Sequence, residues 1–139
     1  MSEGKKGRTA FVRAGGGSLG AVEVGMLLAL LDWGVTPDLV VGASAGAING
    51  AFFASDPTPD GVARLTEIWC ALRRRDLFPF SFANLFGFLS GRDHLCGHEG
   101  LRRVLQRHLP YRTLEEAAIP IHVVASDLIT GDEVLLSSG

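Results

Sequence analysis

Apolar positions along the chain alternate between short runs and stretches of helical period. Thr9 to Ala14 is a brief apolar run broken by Arg13, and it predicts a first strand that ends in glycines. From Ser18 to Trp33 the apolar residues Val22, Met26, Leu27, Leu30 and Leu31 recur at helical spacing, and Gly34 with Thr36-Pro37 ends the helix. Leu39 to Val41 predicts a second strand, followed by a helix of small residues reaching about Ala54. After the break at Ser55 to Asp60, Thr58 suits an N-cap, Pro59 the first helical position and Asp60 the positive end of the dipole. Val62, Leu65, Trp69 and Leu72 then mark a third helix. A fourth is expected near His98 to His108, and Thr113-Leu114-Glu115-Glu116 has the spacing of a capping box. Ile119 to Ser126 predicts a buried strand, and after a turn at Thr130-Gly131, Glu133 to Leu136 predicts another. Strand and helix in alternation imply an α/β fold with a largely parallel sheet.

Composition narrows this picture. The 139 residues suffice for one domain, and a 47% hydrophobic content suits a sheet covered by helices on both faces. Residues 1–8 are polar and expected to be a flexible N-terminus, leaving 9–139 as the domain. A net charge of -2 gives no electrostatic case for nucleic acid. Cys70 and Cys96 form no C-x-x-C and no metal-ligand spacing, which fits a reduced, cytoplasmic pair. No secretory signal is expected, and the longest apolar stretch, 25–31, falls far short of the ~20 residues of a membrane span, so a soluble chain is expected.

Three further segments carry more than one reading. Arg73-Arg74-Arg75 suits a solvated helix C-terminus, or phosphate head groups where the protein touches a membrane surface peripherally. Between Phe78 and Leu89 lie five phenylalanines, as in an acyl-chain wall or lid, or in a loop tucked into a core. His94 and His98 flank Cys96 on one loop; with no fourth ligand nominated, they read as solvent-facing polar side chains rather than ligands, and neither metal nor cofactor is expected.

The chemistry concentrates at two glycine motifs. Gly42-Ala43-Ser44-Ala45-Gly46 is a G-x-S-x-G placed after a strand and before a helix, the context that lifts a serine hydroxyl above a sheet edge. Gly15-Gly16-Gly17-Ser18-Leu19-Gly20 also follows a strand and opens a helix, offering bare backbone N–H groups to an anion. A dinucleotide reading of the second motif requires an acidic residue at the far end of strand two, where the chain has the serine turn, and Asp38 lies at the wrong end. A nucleophile beside an amide cradle points to acyl transfer or ester hydrolysis.

With both motifs placed, the chain resembles the patatin-like phospholipase family from Thr9 to Gly139. The resemblance rests on the glycine cradle, the apolar helix, Asp-Leu-Val-Val-Gly-Ala-Ser-Ala-Gly-Ala-Ile-Asn-Gly over Asp38 to Gly50, and Ala-Ser-Asp-Leu-Ile-Thr-Gly over Ala125 to Gly131. It implies a three-layer α/β/α sandwich that hydrolyses acyl esters of lipids with a serine–aspartate dyad. Ser44 is then the nucleophile, and the amides of Gly15, Gly16 and Gly17 form the oxyanion hole. Gly20 lets the following helix approach closely, while Gly42 and Gly46 give the strained turn room.

Two departures from the family pattern bear on activity. The cradle position often basic in the family is Leu19, and the family's Asp-Gly-Gly or Asp-Gly-Ala tripeptide does not occur. Asp60-Gly61 comes too early in the fold order, and Asp127 and Asp132 match a hairpin region rather than the base. The expectation is a domain truncated at its C-terminal side, carrying the nucleophile without its partner and nearly inactive alone. The alternatives are a non-catalytic lipid-binding or regulatory module, and a histidine-dependent α/β-hydrolase drawing on His94, His98, His108 or His122. No motif fixes acyl-chain length, head group or oligomeric state.

Overall fold

The computed structural model describes residues 7–72 and 98–139. The arginine run 73–75, the phenylalanine-rich segment and the His94/Cys96 loop fall outside the described residues. Four strands form one sheet in the order β1 (Ala10–Arg13), β2 (Leu39–Ala43), β3 (Ile121–Ser126), β4 (Glu133–Leu136). β1, β2 and β3 run parallel, and β4 returns antiparallel beside β3. The chain therefore has the expected α/β fold with a mostly parallel sheet.

Strand limits follow from where the backbone donors go. β1 starts at Ala10 because the Thr9 N–H is taken by the Asp38 carboxylate at 2.7 Å. β2 runs two residues past Val41, since Gly42 and Ala43 continue the ladder opposite Val123 and Val124. β3 begins two residues later than the apolar run suggests. The Ile119 N–H bonds the Ala54 carbonyl instead, and Pro120 has no N–H to give.

Helices α1 (Gly20–Asp32), α2 (Ala45–Ser55) and α3 (Pro59–Ala71) pack on one another, and α2 lies along β1, β2 and β3. A single 3-10 turn, Gly17–Leu19, precedes α1. α3 starts as its sequence predicts: the Thr58 hydroxyl accepts from the Gly61 N–H at 3.1 Å, with Pro59 inside the first turn. α4 spans His98–His108.

The core lies between this helical layer and the sheet. Leu27, Val40, Phe53, Val62, Leu65 and Ile121 are essentially sealed from solvent, and the Phe11 and Phe53 rings stack with centroids 5.9 Å apart. Each such side chain contributes about 1.5–3 kcal/mol by leaving water. The small residues of α2 let it settle onto β2: a Cβ on Gly50 would stand 2.9 Å from Val40 Cγ1. α4 joins the same core through Leu105, and beyond it the Tyr111 hydroxyl donates to the Ala51 carbonyl at 2.9 Å.

The expected capping box at Thr113 is a correction. Residues Leu114–Glu116 form only a 3-10 turn, and Thr113 makes no side-chain cap. The Glu116 carboxylate accepts from the Arg112 N–H, and Gly139 occupies the turn from the other side, its N–H on Glu115 and its carbonyl on the Leu114 N–H. The acidic side chains thus serve the turn and the chain end rather than a helix start.

Candidate active site

Ser44 sits between the end of β2 and the start of α2, with φ 52° and ψ -124°. Among the described residues it is the only non-glycine with positive φ. Such a conformation costs of order 1–3 kcal/mol and persists only where its surroundings impose it. Gly42 and Gly46 show what imposes it. A Cβ on Gly42 would lie 2.5 Å from the Gly46 carbonyl oxygen, and one on Gly46 would lie 2.5 Å from the Arg13 carbonyl oxygen and 2.6 Å from that of Ala14. The turn is closed against its own helix and against the end of β1 at once.

The Ser44 side chain does not cap α2 and stays exposed. The Ser44 carbonyl accepts from the Ala47 and Ile48 N–H groups, and among the described residues the Ala45 and Gly46 amides at the helix start have no backbone acceptor. The dipole of α2 adds partial positive charge at this point.

The glycine loop lies directly beside that hydroxyl. A Cβ on Gly15 would stand 2.9 Å from Ser44 Cβ and 3.5 Å from Ser44 Oγ. Gly16, Gly17 and the residues after them fold into the 3-10 turn, with the Leu19 N–H bonding the Gly16 carbonyl at 3.0 Å and Gly17 at φ 56°, a region that favours glycine. Among the described residues, none of the loop backbone hydrogen bonds uses the N–H of Gly15, Gly16 or Gly17. Gly20 closes the arrangement, since a Cβ there would meet Trp69 Cζ2 at 2.8 Å and Ala45 Cβ at 3.1 Å. The structure thus brings Ser44, Gly15, Gly20, Gly42 and Gly46 into one contact set, with Gly16 and Gly17 on the adjoining turn.

Among the described residues, the acidic and imidazole groups below have other hydrogen-bond partners or positions. The Asp127 carboxylate folds into its own turn, accepting from the Ile129 and Thr130 N–H groups at 2.8 and 2.9 Å. Those backbone donors, Thr130 first, hold it below the usual carboxylate range. The Asp132 N–H bonds the Thr130 hydroxyl in the same hairpin. His122 Nδ1 lies 2.8 Å from Ser137 Oγ, and His122 pairs in register with Val41, three residues before Ser44. His108 ends α4. Among the described residues, no side chain is hydrogen-bonded to the Ser44 hydroxyl.

A polar group beneath the glycine loop escaped the sequence reading. Asn49, 0% exposed, donates to the Gly20 carbonyl at 2.8 Å and to Glu23 at 3.0 Å, and accepts from Trp69 Nε1 at 2.8 Å. The same Glu23 oxygen takes Arg13 Nη2 at 3.1 Å. Burial pushes the Arg13 guanidinium pKa down, with Glu23 pulling the other way. The available signals were an asparagine inside a small-residue helix and an arginine inside an apolar strand. Each is ordinary alone.

An exposed serine on a strained strand-to-helix turn, packed against a glycine loop in a mostly parallel α/β sheet, defines a class of domain. A family model for the patatin-like phospholipase matches residues 11–135. The chain belongs to the patatin-like phospholipase family. It is similar to neuropathy target esterase sws of Drosophila sechellia, 40% identical over 58 residues, which are 42% of this chain and 4% of that protein. It is also similar to triacylglycerol lipase 5 of Saccharomyces cerevisiae, 37% identical over 62 residues, 45% of this chain and 8% of that protein. Patatin-like phospholipase domain-containing protein 7 of Rattus norvegicus is 45% identical over 60 residues, 43% of this chain and 4% of that protein. The matched regions are thus a small part of each relative's length. No helix among the described residues is long and apolar enough to cross a membrane.

Proposed function

We propose that this chain carries the nucleophile and the oxyanion cradle of a lipid acyl-ester hydrolase. Ser44 Oγ attacks the ester carbonyl carbon, and the negative oxygen of the tetrahedral intermediate rests on amides of Gly15, Gly16 and Gly17. The ester C–O bond then breaks, the leaving alcohol takes up the proton released by the serine, and water hydrolyses the acyl-serine. Fixed donors cost no reorganisation when charge develops, and each one typically supplies ~2.7–4 kcal/mol of transition-state stabilisation. The observation that carries the reading is Ser44 at φ 52°, with Gly15 packed against its side chain.

The family resemblance assigns the proton to an aspartate. Asp127 is spent on its own turn and acidified by it, which makes it a poor base. Without a base acting on Ser44, the elbow and cradle would still give roughly 10³–10⁴-fold over water. His122 bonds Ser137, which disfavours His122 as the base of the histidine-dependent reading. Substrate is expected to be a lipid or other acyl ester met at an interface, with no cofactor.

A fluorophosphonate probe tests the reading, because it phosphonylates activated serines. Wild type is expected to label at Ser44 and Ser44→Ala not to label. A folded wild type that never labels, or a Ser44→Ala variant that labels equally, would overturn the proposal and favour the lipid-binding module.

A further inference from the structure

We infer that Asn49 is a positioning residue: its buried amide sets the distance between the Ser44 hydroxyl and the glycine loop. The inference rests on the hydrolase reading above and adds to it a determinant of rate outside the reacting groups. Asn49 sits one turn beyond the start of α2, the helix that has Ser44 at its N-terminus. Its Nδ2 bonds the Gly20 carbonyl, where the 3-10 turn of the loop passes into α1. The second proton of Nδ2 goes to Glu23 in the first turn of α1, and Oδ1 receives Trp69 of α3. One side chain therefore ties the helix bearing the nucleophile to the helix that follows the cradle.

Sterics and polarity act on the same joint. Gly20 is pressed between Trp69 and Ala45, and the Arg13 and Ala14 carbonyls that lead into the loop press on Gly46. These contacts stop the loop from moving closer; only a directed bond stops it from moving away. Arg13 completes the tie from β1 through Glu23. An apolar side chain could fill this core site, but it would leave the Gly20 carbonyl and Trp69 Nε1 without their partner, at about 1–3 kcal/mol each. What the apolar side chain lacks is the hold on Gly20. A displacement near 1 Å at a reacting group can cost about 10²-fold in rate.

The full chain with Asn49→Leu and Asn49→Asp tests this by two measurements. The first is amide hydrogen exchange of residues 14–20 against that of β2 and β3. The second is fluorophosphonate inactivation, resolved into its limiting rate and its half-saturating concentration. Asn49→Leu is expected to speed exchange at 14–20 by at least about tenfold with β2 and β3 unchanged. Its limiting rate should fall about 10–100-fold at unaltered half-saturation. Asn49→Asp places a second carboxylate beside Glu23, where burial and Glu23 raise its pKa and the Arg13 charge from β1 opposes them. Once protonated it regains an O–H donor for Gly20, so its rate relative to wild type should climb as pH falls from 8 to 5. Folded Asn49→Leu with wild-type exchange at 14–20 would overturn the inference. So would faster exchange spread evenly through β2 and β3, or a loss confined to half-saturation. If Asn49→Leu does not fold, the pH ratio for Asn49→Asp decides: a flat ratio overturns the inference. A wild type that fails to label sinks the hydrolase reading, while the exchange comparison still judges the tie.

Discussion

Gly15→Ala should cost more in catalysis than in folding at this site. The added methyl would sit 2.9 Å from Ser44 Cβ and 3.5 Å from Oγ. Carbon atoms in contact prefer about 3.5–4.0 Å, so the loop or the serine must retreat by roughly 0.6 Å or more. An oxyanion bond near 2.9 Å would stretch to about 3.5 Å, beyond useful hydrogen-bond range. Losing one donor costs ~2.7–4 kcal/mol, which is about 10²–10³-fold in rate. The protein should stay folded but lose about 1–3 kcal/mol, because the methyl meets Ser44 Cβ on the strained elbow rather than the free end of a side chain. The assay is the second-order rate of fluorophosphonate labelling beside a thermal melt. A Gly15→Ala protein that labels within threefold of wild type at an unchanged Tm would refute the cradle geometry.

Other substitutions probe the elbow and the core. Ser44→Gly should abolish labelling yet be about 1 kcal/mol more stable than Ser44→Ala in urea, because only glycine adopts φ 52° without strain. Equal stabilities would show that the turn stores nothing. Gly46→Ala drives a methyl to 2.5 Å from a main-chain oxygen that cannot step aside, so a loss of about 3 kcal/mol or more is expected from denaturant curves. The single tyrosine gives a pH test: burial pushes the Tyr111 phenol up to about 12, against about 10 in an unfolded chain. A raised folded pKa means its contribution to stability is whole below pH ~10 and is lost as pH climbs through about 12. Absorbance at alkaline pH should show tyrosinate forming near 12 in the folded protein, and a midpoint near 10 would contradict the burial of this phenol.

Much of this was legible because local rules and tertiary needs agree. Pro59 after Thr58 reads as a helix start and is one. The G-x-S-x-G reads as a tight turn, and a Cβ on either of its glycines would strike main chain. Local pattern misled where acidic side chains had better partners elsewhere: Glu115 takes the Gly139 N–H and Glu116 the Arg112 N–H. The tie under the cradle was out of reach for another reason. Arg13 broke an apolar run and Trp69 fell on an apolar stripe, and only the crossing of β1, α1, α2 and α3 brings them to Glu23 and Asn49.

Backbone amide NMR of the phosphonylated protein bears most directly on the central claim that the loop after β1 receives the charge formed at Ser44. The tetrahedral adduct carries an oxygen where the oxyanion would sit. Amide signals of Gly15 to Gly17 should move strongly downfield on adduct formation, with the label mapped to Ser44. Unmoved glycine signals, or shifts confined to Ala45 and Gly46, would contradict it.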